Sequence, residues 1–584
     1  MVINKTDELD YVYLTFGWID YTFFTLLLGV SLAIGIYFGF FKKQDNTTDY
    51  FLGGKTMNYF PVAMSILASH VSGMTLLGVP TEVYFHGSQY LAVVFTVLFM
   101  VLATIYIFLP VFSKLQIPSA FGYLEVRFAR PVRLLCSFLY SISLLIFVPM
   151  VVYVPALAFS QVTGFSLHVL SPILCIVCIT YTTIGGLKAV VWTDTIQLSI
   201  TCGGLLVIIG LGIKAVGGFL EVVRISDEGG RLIFFNMDPS PFQRNTFWGM
   251  SIGMTFHFIS HMSINQGFVQ RCLAVPSRGD AVISIVFMGA GMVLLKALSA
   301  FVGLIIYAYY HDCDPLAIDA IERNDQLFPY YVMDVAGHLP GLPGLFLAGL
   351  VSAALSTMSA NLNTVSGSVY EDFIEPWIPE GPRKEVIGAN IMKVVVVIFG
   401  CLAGGLVFVV EHLGTVFQMG IALKSLLDGP VLGLFVLGMM VPWVKTRGAI
   451  TGALLSIGIM AWLIFTTQWY QSQGRIRNDP LPVNVHGCAA PWNETIIPTK
   501  PSISPDDEPS MIYQISFLYY TLIGFFFTLL LSITVSLMLG ETDISNINPD
   551  HITPCIQRFL EKRKYAEVSL KDVDTGIITN GEKK

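Results

Sequence analysis

A polar stretch interrupts a hydrophobic segment in the first fifth of the chain. Leu67–Val79 reads LASHVSGMTLLGV and places hydroxyl groups, an imidazole and a glycine where a membrane-spanning helix would be apolar. Irregular backbone at that depth is tolerated only where it lines a cavity enclosed by protein, because hydrocarbon offers no hydrogen-bond partners. Polar interruptions of this kind indicate an ion or solute site. Alternatively, the small residues only allow helices to pack closely.

A second stretch repeats the pattern later in the chain. Ile259–Gln266 reads ISHMSINQ, in which serine, histidine, an apolar residue and serine follow one another as they do from Ser69 to Ser72. Each stretch opens a set of five hydrophobic segments. The pair therefore predicts two repeated halves that face one another across a common site.

Hydroxyl groups crowd a third hydrophobic segment, Leu350–Asn363, which reads LVSAALSTMSANLN. Ser356 and Thr357 are adjacent, and the carbonyl of Ala353 lies one helical turn before them. Hydroxyl and carbonyl oxygens suit a hard cation. With backbone carbonyls from the first polar stretch, these residues predict a sodium site. Each hydroxyl could instead bond to the carbonyl four residues earlier in its own helix.

Asp194 is the acidic residue that a membrane would tolerate least. It stands in GGLKAVVWTDTIQ at the start of a hydrophobic segment, with Thr193 and Gln197 as further oxygen ligands beside it. A carboxylate at mid-bilayer costs roughly 2.5–3.5 kcal/mol on insertion scales, so it indicates a functional site with a cation as partner. An interfacial pair with Lys188 is the structural alternative.

Other polar side chains leave their roles open. Lys424 and Asp428 stand four residues apart in IALKSLLDGP, where they could neutralise each other or Lys424 could hold an anionic solute. His70, His257 and His261 could titrate, form hydrogen bonds or bind a metal, although their spacing fits no tight zinc motif.

The composition places these residues in a membrane. Of 584 residues 54% are hydrophobic and 12% charged, with a net charge of −7 and a mean hydropathy of +0.68. Soluble domains carry roughly 25% charged residues, so we expect an all-α polytopic membrane protein. At about 20 apolar residues per crossing, about thirteen spans are predicted: 17–41, 58–80, 86–112, 132–160, 166–184, 188–214, 246–268, 279–309, 340–365, 386–410, 414–440, 449–468 and 513–540.

Basic residues orient these spans. They cluster in loops that share one side if the N-terminus is outside, and the positive-inside rule makes that side cytoplasmic, together with the C-terminus. The 469–512 loop is then extracellular, and its Asn493-Glu494-Thr495 sequon is an expected glycosylation site. Cys313 and Cys488 are expected to form an extracellular disulfide.

Motifs of nucleotide-driven transport and of common hydrolases are absent from the sequence. No Walker phosphate-binding loop, Gly-x-Ser-x-Gly elbow or zinc-protease helix occurs. We therefore expect neither ATP-driven transport nor enzyme activity.

At these residues the chain resembles the sodium/solute symporter family, and most of all its monocarboxylate, multivitamin and iodide transporters. The resemblance covers roughly Asp49–Met440. The stretches that carry it are DYFLGGKTMNYFPVAMSILAS from Asp49, LLGVPTEVY from Leu76, VVYVPALAFSQVTGF from Val151, YTTIGGLKAVVWTDTIQ from Tyr181, NQGFVQRCL from Asn265, PGLPGLFLAGLVSAALST from Pro340 and GPVLGLFVLGM from Gly429.

The resemblance implies a LeuT-type fold with one leading span, two inverted five-helix repeats and two trailing spans. The expected segments are an extracellular N-terminus, leading span and cytoplasmic loop (1–57), the first repeat (58–214), an extracellular loop (215–245), the second repeat (246–440), the trailing spans (441–540) and a cytoplasmic tail (541–584).

The resemblance also implies site residues by position. The family's shared sodium site falls on the carbonyls of Ala68, Val71 and Ala353 and the hydroxyls of Ser356 and Thr357. Iodide-type relatives imply a second ion or substrate region at Ser69, Ser72, Thr75, Tyr153, Asp194 and Gln197. His70 stands where those relatives usually carry an aromatic residue, and Thr75 where the iodide transporter carries glutamine. Candidates for solute specificity are His70, His261, Asn265 and Lys424.

These features together predict a sodium-driven symporter of the plasma membrane that works by alternating access. Its partners would be Na⁺, a small organic solute and the lipid bilayer, with no nucleic acid. A monocarboxylate is the first expectation for the solute. The alternatives are a vitamin-like acid, an inorganic anion, a sugar or polyol, or a sodium-gated sensor or leak channel that moves no solute.

Overall fold

The chain folds into helices joined by turns. The computed structural model describes residues 16–41, 53–117, 119–381, 383–410, 416–476, 480–488, 509–540 and 548–558, and no strand occurs among them. The all-α prediction is confirmed.

Eighteen α-helices make up the described part of the chain. The first nine are α1 (Trp18–Ile36), α2 (Tyr59–His70), α3 (Gly73–His86), α4 (Val93–Ala103), α5 (Leu109–Leu115), α6 (Gly122–Arg127), α7 (Arg130–Thr163), α8 (Leu167–Val216) and α9 (Phe219–Glu228). The others are α10 (Met254–Met262), α11 (Gln266–Leu273), α12 (Arg278–Tyr310), α13 (Leu327–Ala336), α14 (Leu342–Val369), α15 (Lys384–Val410), α16 (Val416–Met440), α17 (Thr446–Ser472) and α18 (Tyr520–Met538).

Ten helical segments of the described chain are long and apolar enough to cross a membrane, and α2 with α3 forms an eleventh, bent by 56°. The number of thirteen crossings and the side of each terminus stay predictions. Two of the predicted spans, 166–184 and 188–214, lie within the 50-residue helix α8. Fifty helical residues extend about 75 Å, more than twice the hydrocarbon thickness of roughly 30 Å.

A single glycine allows α8 to change direction between those two spans. Gly186 has φ 56° and ψ −161°, a backbone conformation that is essentially restricted to glycine. The residue therefore divides α8 at the position where the sequence predicted a boundary between two crossings.

The predicted span at 246–268 is also interrupted. A π-helical turn at Gly249–Gly253 leads into α10, and the chain then breaks before α11. Asn265 caps the new helix, because its Oδ1 accepts hydrogen bonds from the amides of Gly267 (2.8 Å) and Phe268 (3.3 Å). The segment is thus two short helices rather than one continuous span.

Helix α14 lies at the centre of the molecule. The most hydrophobic part of its segment is 89% buried, against 22% for α1. It packs against α1, α2, α7, α8 and α15. A helix so enclosed can carry polar side chains toward its neighbours without exposing them to lipid.

Segments outside the spans close both ends of the helix bundle. At the end predicted to be extracellular, Cys313 and Cys488 form a disulfide with a Cα–Cα distance of 5.1 Å. Residues 480–488 also bind α3, where the amide of Leu481 donates to the carbonyl of Phe85 (2.7 Å). The predicted glycosylation site, Asn493, lies outside the described residues.

The described part of the C-terminal tail contacts the opposite end. The Asp550 carboxylate lies 2.5 Å from the Lys114 ammonium, and the amide of Thr553 donates to the carbonyl of Met439 (3.1 Å). The tail therefore rests on α5 and α16, on the side that carries the basic loops.

Candidate functional site

The break between α2 and α3 leaves carbonyl groups without their helical partners. The hydrogen-bond ladder of α2 ends where the amide of Val71 donates to Leu67, and it begins again where Thr75 donates to Ser72. The last carbonyls of a helix have no partner within that helix. Ala68 and Val71 are almost fully buried, so their carbonyls are open to a ligand inside the protein.

The hydroxyl of Thr357 on α14 lies against this break. Its Oγ1 is 3.2 Å from the carbonyl oxygen of Ser69 and 3.0 Å from that of Ala353. The structure thus brings oxygen atoms of the unwound end of α2 together with the hydroxyl and carbonyl oxygens predicted on α14. An arrangement of this kind can bind a hard monovalent cation.

The neighbouring hydroxyl, on Ser356, faces Asp194 instead. Its Oγ donates to Asp194 Oδ1 at 2.5 Å, and Ser65 Oγ donates to the other carboxylate oxygen at 2.6 Å. The guanidinium of Arg271 lies 3.7 Å from the same carboxylate and also donates to Ser65 (2.9 Å). Asp194 and Arg271 are buried together, so each charge has an opposite charge nearby.

Arg271 and Ser65 were not predicted as site residues. Arg271 stands in the NQGFVQRCL stretch, just after the second break, and Ser65 lies one helical turn before Ser69. An arginine close to a broken span was the signal in the sequence, because a carboxylate placed in a membrane needs a cation as its partner.

The other residues predicted for the second region bond elsewhere. The Gln197 amide donates to Ser31 on α1 (2.8 Å), and Arg323 donates to the hydroxyl of Tyr153 (2.5 Å). The Ser69 hydroxyl donates to the Ser65 carbonyl one turn earlier (2.8 Å). The backbone of Ser72 ends the break as the residue before α3, and Thr75 lies in the first turn of that helix.

A small cavity lies beside the second break. It contains four residues from the sequence predictions, His261, Asn265, Lys424 and Asp428, and belongs mainly to α7, α10 and α16. The full lining is Phe121, Tyr140, Ser143, Ser260, His261, Ile264, Asn265, Lys424, Leu427, Asp428 and Val431.

Lys424 turns toward aromatic rings in this cavity. Its ammonium contacts Nδ1 of His261 and lies 4.4 Å from the centre of the Phe147 ring. Although Asp428 is one turn away on α16, no salt bridge joins the two side chains in the described chain. Asp428 Oδ2 is instead buried without a hydrogen-bond partner among the described residues. Within the described chain, the cavity thus holds an ammonium that forms no salt bridge and a carboxylate oxygen that accepts no hydrogen bond.

His70 connects the two breaks. Its ring lies 4.7 Å from the ring of His261, centre to centre and nearly perpendicular. The unwound end of α2, which carries the predicted sodium ligands, is therefore in direct contact with the side chain that touches Lys424.

A second buried ion pair, unpredicted, lies nearer the end with the disulfide. Arg244, before α10, donates to both carboxylate oxygens of Glu82 on α3 at 2.8 and 2.9 Å. Asn245 donates to Glu82 (2.6 Å), and Arg244 also donates to Gln418 on α16 (2.8 Å). These contacts tie α3 to α16 and cover the end of both helices.

Comparison with known families gives a match across most of the chain. A family model described as the sodium:solute symporter family matches residues 50–456. Human sodium-coupled monocarboxylate transporter 1 is 36% identical over 546 residues, which cover 91% of this chain and 89% of that protein. A rabbit sodium-dependent multivitamin transporter is 34% identical, with coverage of 95% and 87%.

Solved structures agree on the fold. A Na⁺-coupled sialic acid symporter in a substrate-bound, outward-open state superposes with a TM-score of 0.72 at 22% identity, covering 90% of this chain and 99% of that one. A nucleobase–cation symporter in a closed conformation gives 0.51 at 12% identity, covering 84% and 94%. The likeness confirms the LeuT-type fold that the sequence predicted.

Proposed function

The chain belongs to the sodium:solute symporter family, and on that premise we propose that it carries a small monocarboxylate together with sodium into the cell. Its class follows from the family: it is a multi-pass transporter of the plasma membrane, it uses Na⁺ as the coupling ion, and it is not an enzyme. The identity of the solute and the residues that hold it are the proposed part.

We propose that sodium binds at the break of α2. The proposed ligands are the Ala68, Val71 and Ala353 carbonyls and the Thr357 hydroxyl. The contacts of that hydroxyl with the carbonyls of Ser69, on the same turn of α2, and of Ala353 support their common use. Ser356 would complete the shell by turning from Asp194, to which it now donates. A cation there would hold α2 against α14 and fix the shape of the neighbouring cavity.

The carboxylate of the solute would pair with Lys424. The ammonium is buried, lies in a cavity lined by both polar and apolar side chains, Asp428 among them, and forms no salt bridge within the described chain. A buried charge is costly unless it is paired, so an anionic solute gains from a site that already contains the cation. Asn265 and Ser260 line the same cavity and offer polar atoms to the rest of the solute.

This arrangement favours a carboxylate over a sugar. A neutral polyol would leave the Lys424 ammonium without a salt-bridge partner, whereas the carboxylate of a short solute can pair with it. The relatives named as sodium-coupled monocarboxylate transporters support the same choice.

Net charge movement would add to the driving force for accumulation. If each cycle carries one net positive charge inward, a membrane potential of 100 mV contributes about 2.3 kcal/mol. That energy corresponds to roughly fifty-fold accumulation of solute before the sodium gradient is added. The broken helices α2–α3 and α10–α11 would allow one repeat to rock against the other around the loaded site.

The test is uptake of labelled lactate, propionate, biotin, iodide and glucose into cells expressing the protein, in sodium and in choline medium, with membrane current recorded in parallel. We expect sodium-dependent accumulation of lactate or propionate, accompanied by inward current. Accumulation of only biotin, iodide or glucose would contradict the monocarboxylate assignment. Sodium current without accumulation of any solute would contradict symport itself and favour a sensor or leak channel.

A further inference from the structure

Three imidazole rings meet where the two broken spans touch, and the proposed sodium and carboxylate ligands include none of them. The ring of His261 lies 4.7 Å from that of His70 and 6.0 Å from that of His257. His257 Nδ1 lies 3.4 Å from the hydroxyl of Thr521 on α18. Histidines inside a membrane bundle, grouped with other ionisable side chains, are typical of sites that bind or pass protons.

The contact between Lys424 and His261 bears on the protonation of the ring. An ammonium group has three donors and no acceptor, so Nδ1 of His261 must supply the lone pair. While the Lys424 ammonium donates to Nδ1, that nitrogen carries no proton of its own. A second cation on the ring would face the Lys424 charge at contact distance.

Most of the charged groups around the three rings are cations, and they come from helices α11, α12 and α16. Lys296 on α12 bonds to Tyr90 (2.8 Å) and interacts electrostatically with both His257 and His261. The groups that face the three rings are Lys424 and Asp428 on α16, Lys296 on α12, Arg271 on α11, and Tyr140 on α7.

Two polar atoms of the cluster are left without a partner. Nδ1 of His70 and Oδ2 of Asp428 are both buried, and neither atom has a hydrogen-bond partner among the described residues. Such atoms normally have partners in folded proteins. Together with the cavity that His261 and Asp428 line, they point to a site arranged for a further occupant.

We propose that His261 binds a proton when the solute binds, so that solute and proton occupy the site together; this rests on the proposed monocarboxylate function. The solute carboxylate takes the Lys424 ammonium as its partner and releases Nδ1 of His261. Nδ1 then accepts one proton from water, so that an N–H bond forms, an O–H bond breaks and hydroxide is left in the medium, because an adjacent anion stabilises the protonated imidazole. No other bond forms or breaks, and the net charge added is zero for each pair of carboxylate and proton.

Linkage gives the expected pH dependence. If binding takes up a proton, the solute binds more tightly as the pH falls below the pKa that His261 has in the solute-bound state. The affinity then rises by at most tenfold per pH unit. The solute itself remains ionised, because a carboxyl group of ordinary pKa, about 4.3, is deprotonated above pH 6. A change in affinity between pH 8 and pH 6 therefore reports on the protein.

The first experiment measures the half-saturating concentration of propionate at pH 8.0, 7.0 and 6.0 in saturating sodium. We expect it to fall by about threefold or more over this range in the unmodified protein, and to stay constant in His261→Gln. His338→Gln is the matched control, because His338 lies in the exposed turn before α14 and should keep the pH dependence. An unchanged pH dependence in His261→Gln would overturn the proposal.

The second experiment needs no variant. Propionate is added to the purified full-length protein in weakly buffered sodium solution, and the pH of the medium is recorded. We expect the medium to become more alkaline by up to one proton per protein, and no pH change would overturn the proposal. Sodium-dependent propionate uptake that is insensitive to pH would reject the proton site alone. If no propionate accumulated at any pH, the monocarboxylate function would fail and the proton site with it.

Discussion

At the scale of single residues, the site is defined by which oxygen atoms face one another. Thr357 was chosen from the chemistry of adjacent hydroxyls, and the structure places it against the carbonyl of Ser69. Ser356, chosen by the same reasoning, donates to Asp194. Adjacent residues on a helix point about 100° apart, so two neighbouring hydroxyls face different partners. Replacing Thr357 and replacing Ser356 should therefore have different effects on sodium binding.

Thr357→Ala is expected to raise the sodium concentration for half-maximal uptake by about tenfold, because loss of one hydrogen-bonding ligand to a charged group costs roughly 1.5 kcal/mol or more. Sodium titration of propionate uptake measures the effect. Ser366→Ala is the control on the same helix, since that hydroxyl only bonds back to Asn363 (2.7 Å). Unchanged sodium dependence in Thr357→Ala would remove this residue from the sodium site.

Lys424→Gln is expected to weaken uptake of a carboxylate at least tenfold more than uptake of its neutral amide, because the buried ammonium pairs only with the anion. Competition of propionate and propionamide against the labelled solute gives both affinities. Lys393→Gln, on α15, provides the comparison for loss of a lysine outside the cavity. Equal losses for both compounds would show that Lys424 is structural.

At the scale of helices, the sequence predicted the interruptions better than their contacts. The two serine–histidine stretches, and the boundary at Gly186, follow from residue types that disfavour a continuous span. The pairs of Glu82 with Arg244 and of Asp194 with Arg271 join residues 162 and 77 positions apart, and depend on which helices become neighbours. A single sequence carries no local signal for such long-range pairing.

Arg244→Met is expected to reduce transport at least tenfold, because it leaves the buried Glu82 carboxylate without its cation, a cost of roughly 3–5 kcal/mol. Maximal uptake, normalised to the amount of protein at the cell surface, measures the loss. Glu82→Gln combined with Arg244→Met should recover part of it, since neither charge is then left alone.

Arg224→Met provides the matched control for this pair. Arg224 on α9 also bonds to two carboxylates, those of Glu221 and Glu228, but the three side chains are exposed. Exposed pairs contribute about 0–1 kcal/mol, so transport should be nearly unchanged. Equal losses of transport in the two arginine variants would show that burial of the Glu82 pair does not determine its contribution to transport.

At the scale of the whole molecule, composition and span length were sufficient to predict a helical membrane protein, and the ordered motifs predicted its fold. The arrangement of the segments between the spans was harder to predict from the sequence. The sequence paired Cys313 with Cys488 from topology alone, but did not predict that residues 480–488 bind α3 or that the tail rests on α5 and α16. Two of those contacts, Leu481 with Phe85 and Thr553 with Met439, use backbone groups, which every residue has, so no residue type predicts them. The third, between Asp550 and Lys114, joins side chains 436 positions apart.

Cys313→Ser is expected to lower the amount of protein at the cell surface several-fold, because residues 480–488 lose the covalent link that holds them over α3 and α12. Surface biotinylation measures the loss, and Cys488→Ser and the double variant should match it. Cys401→Ser, at an exposed free cysteine, should have no effect. A larger defect in the double variant than in either single one would contradict a simple bond between the two.

Sodium binding at the unwound end of α2 would also stabilise the folded protein by mass action. If the carbonyls at that end bind sodium as proposed, they do so only in the folded protein, because the unfolded chain has no such arrangement, so sodium should act as a ligand of the native state. At a sodium concentration 100 times the dissociation constant, that linkage contributes about 2.7 kcal/mol to stability. The purified protein should therefore melt at a temperature that rises with the logarithm of the sodium concentration, even with no solute present, and Thr357→Ala should flatten that rise.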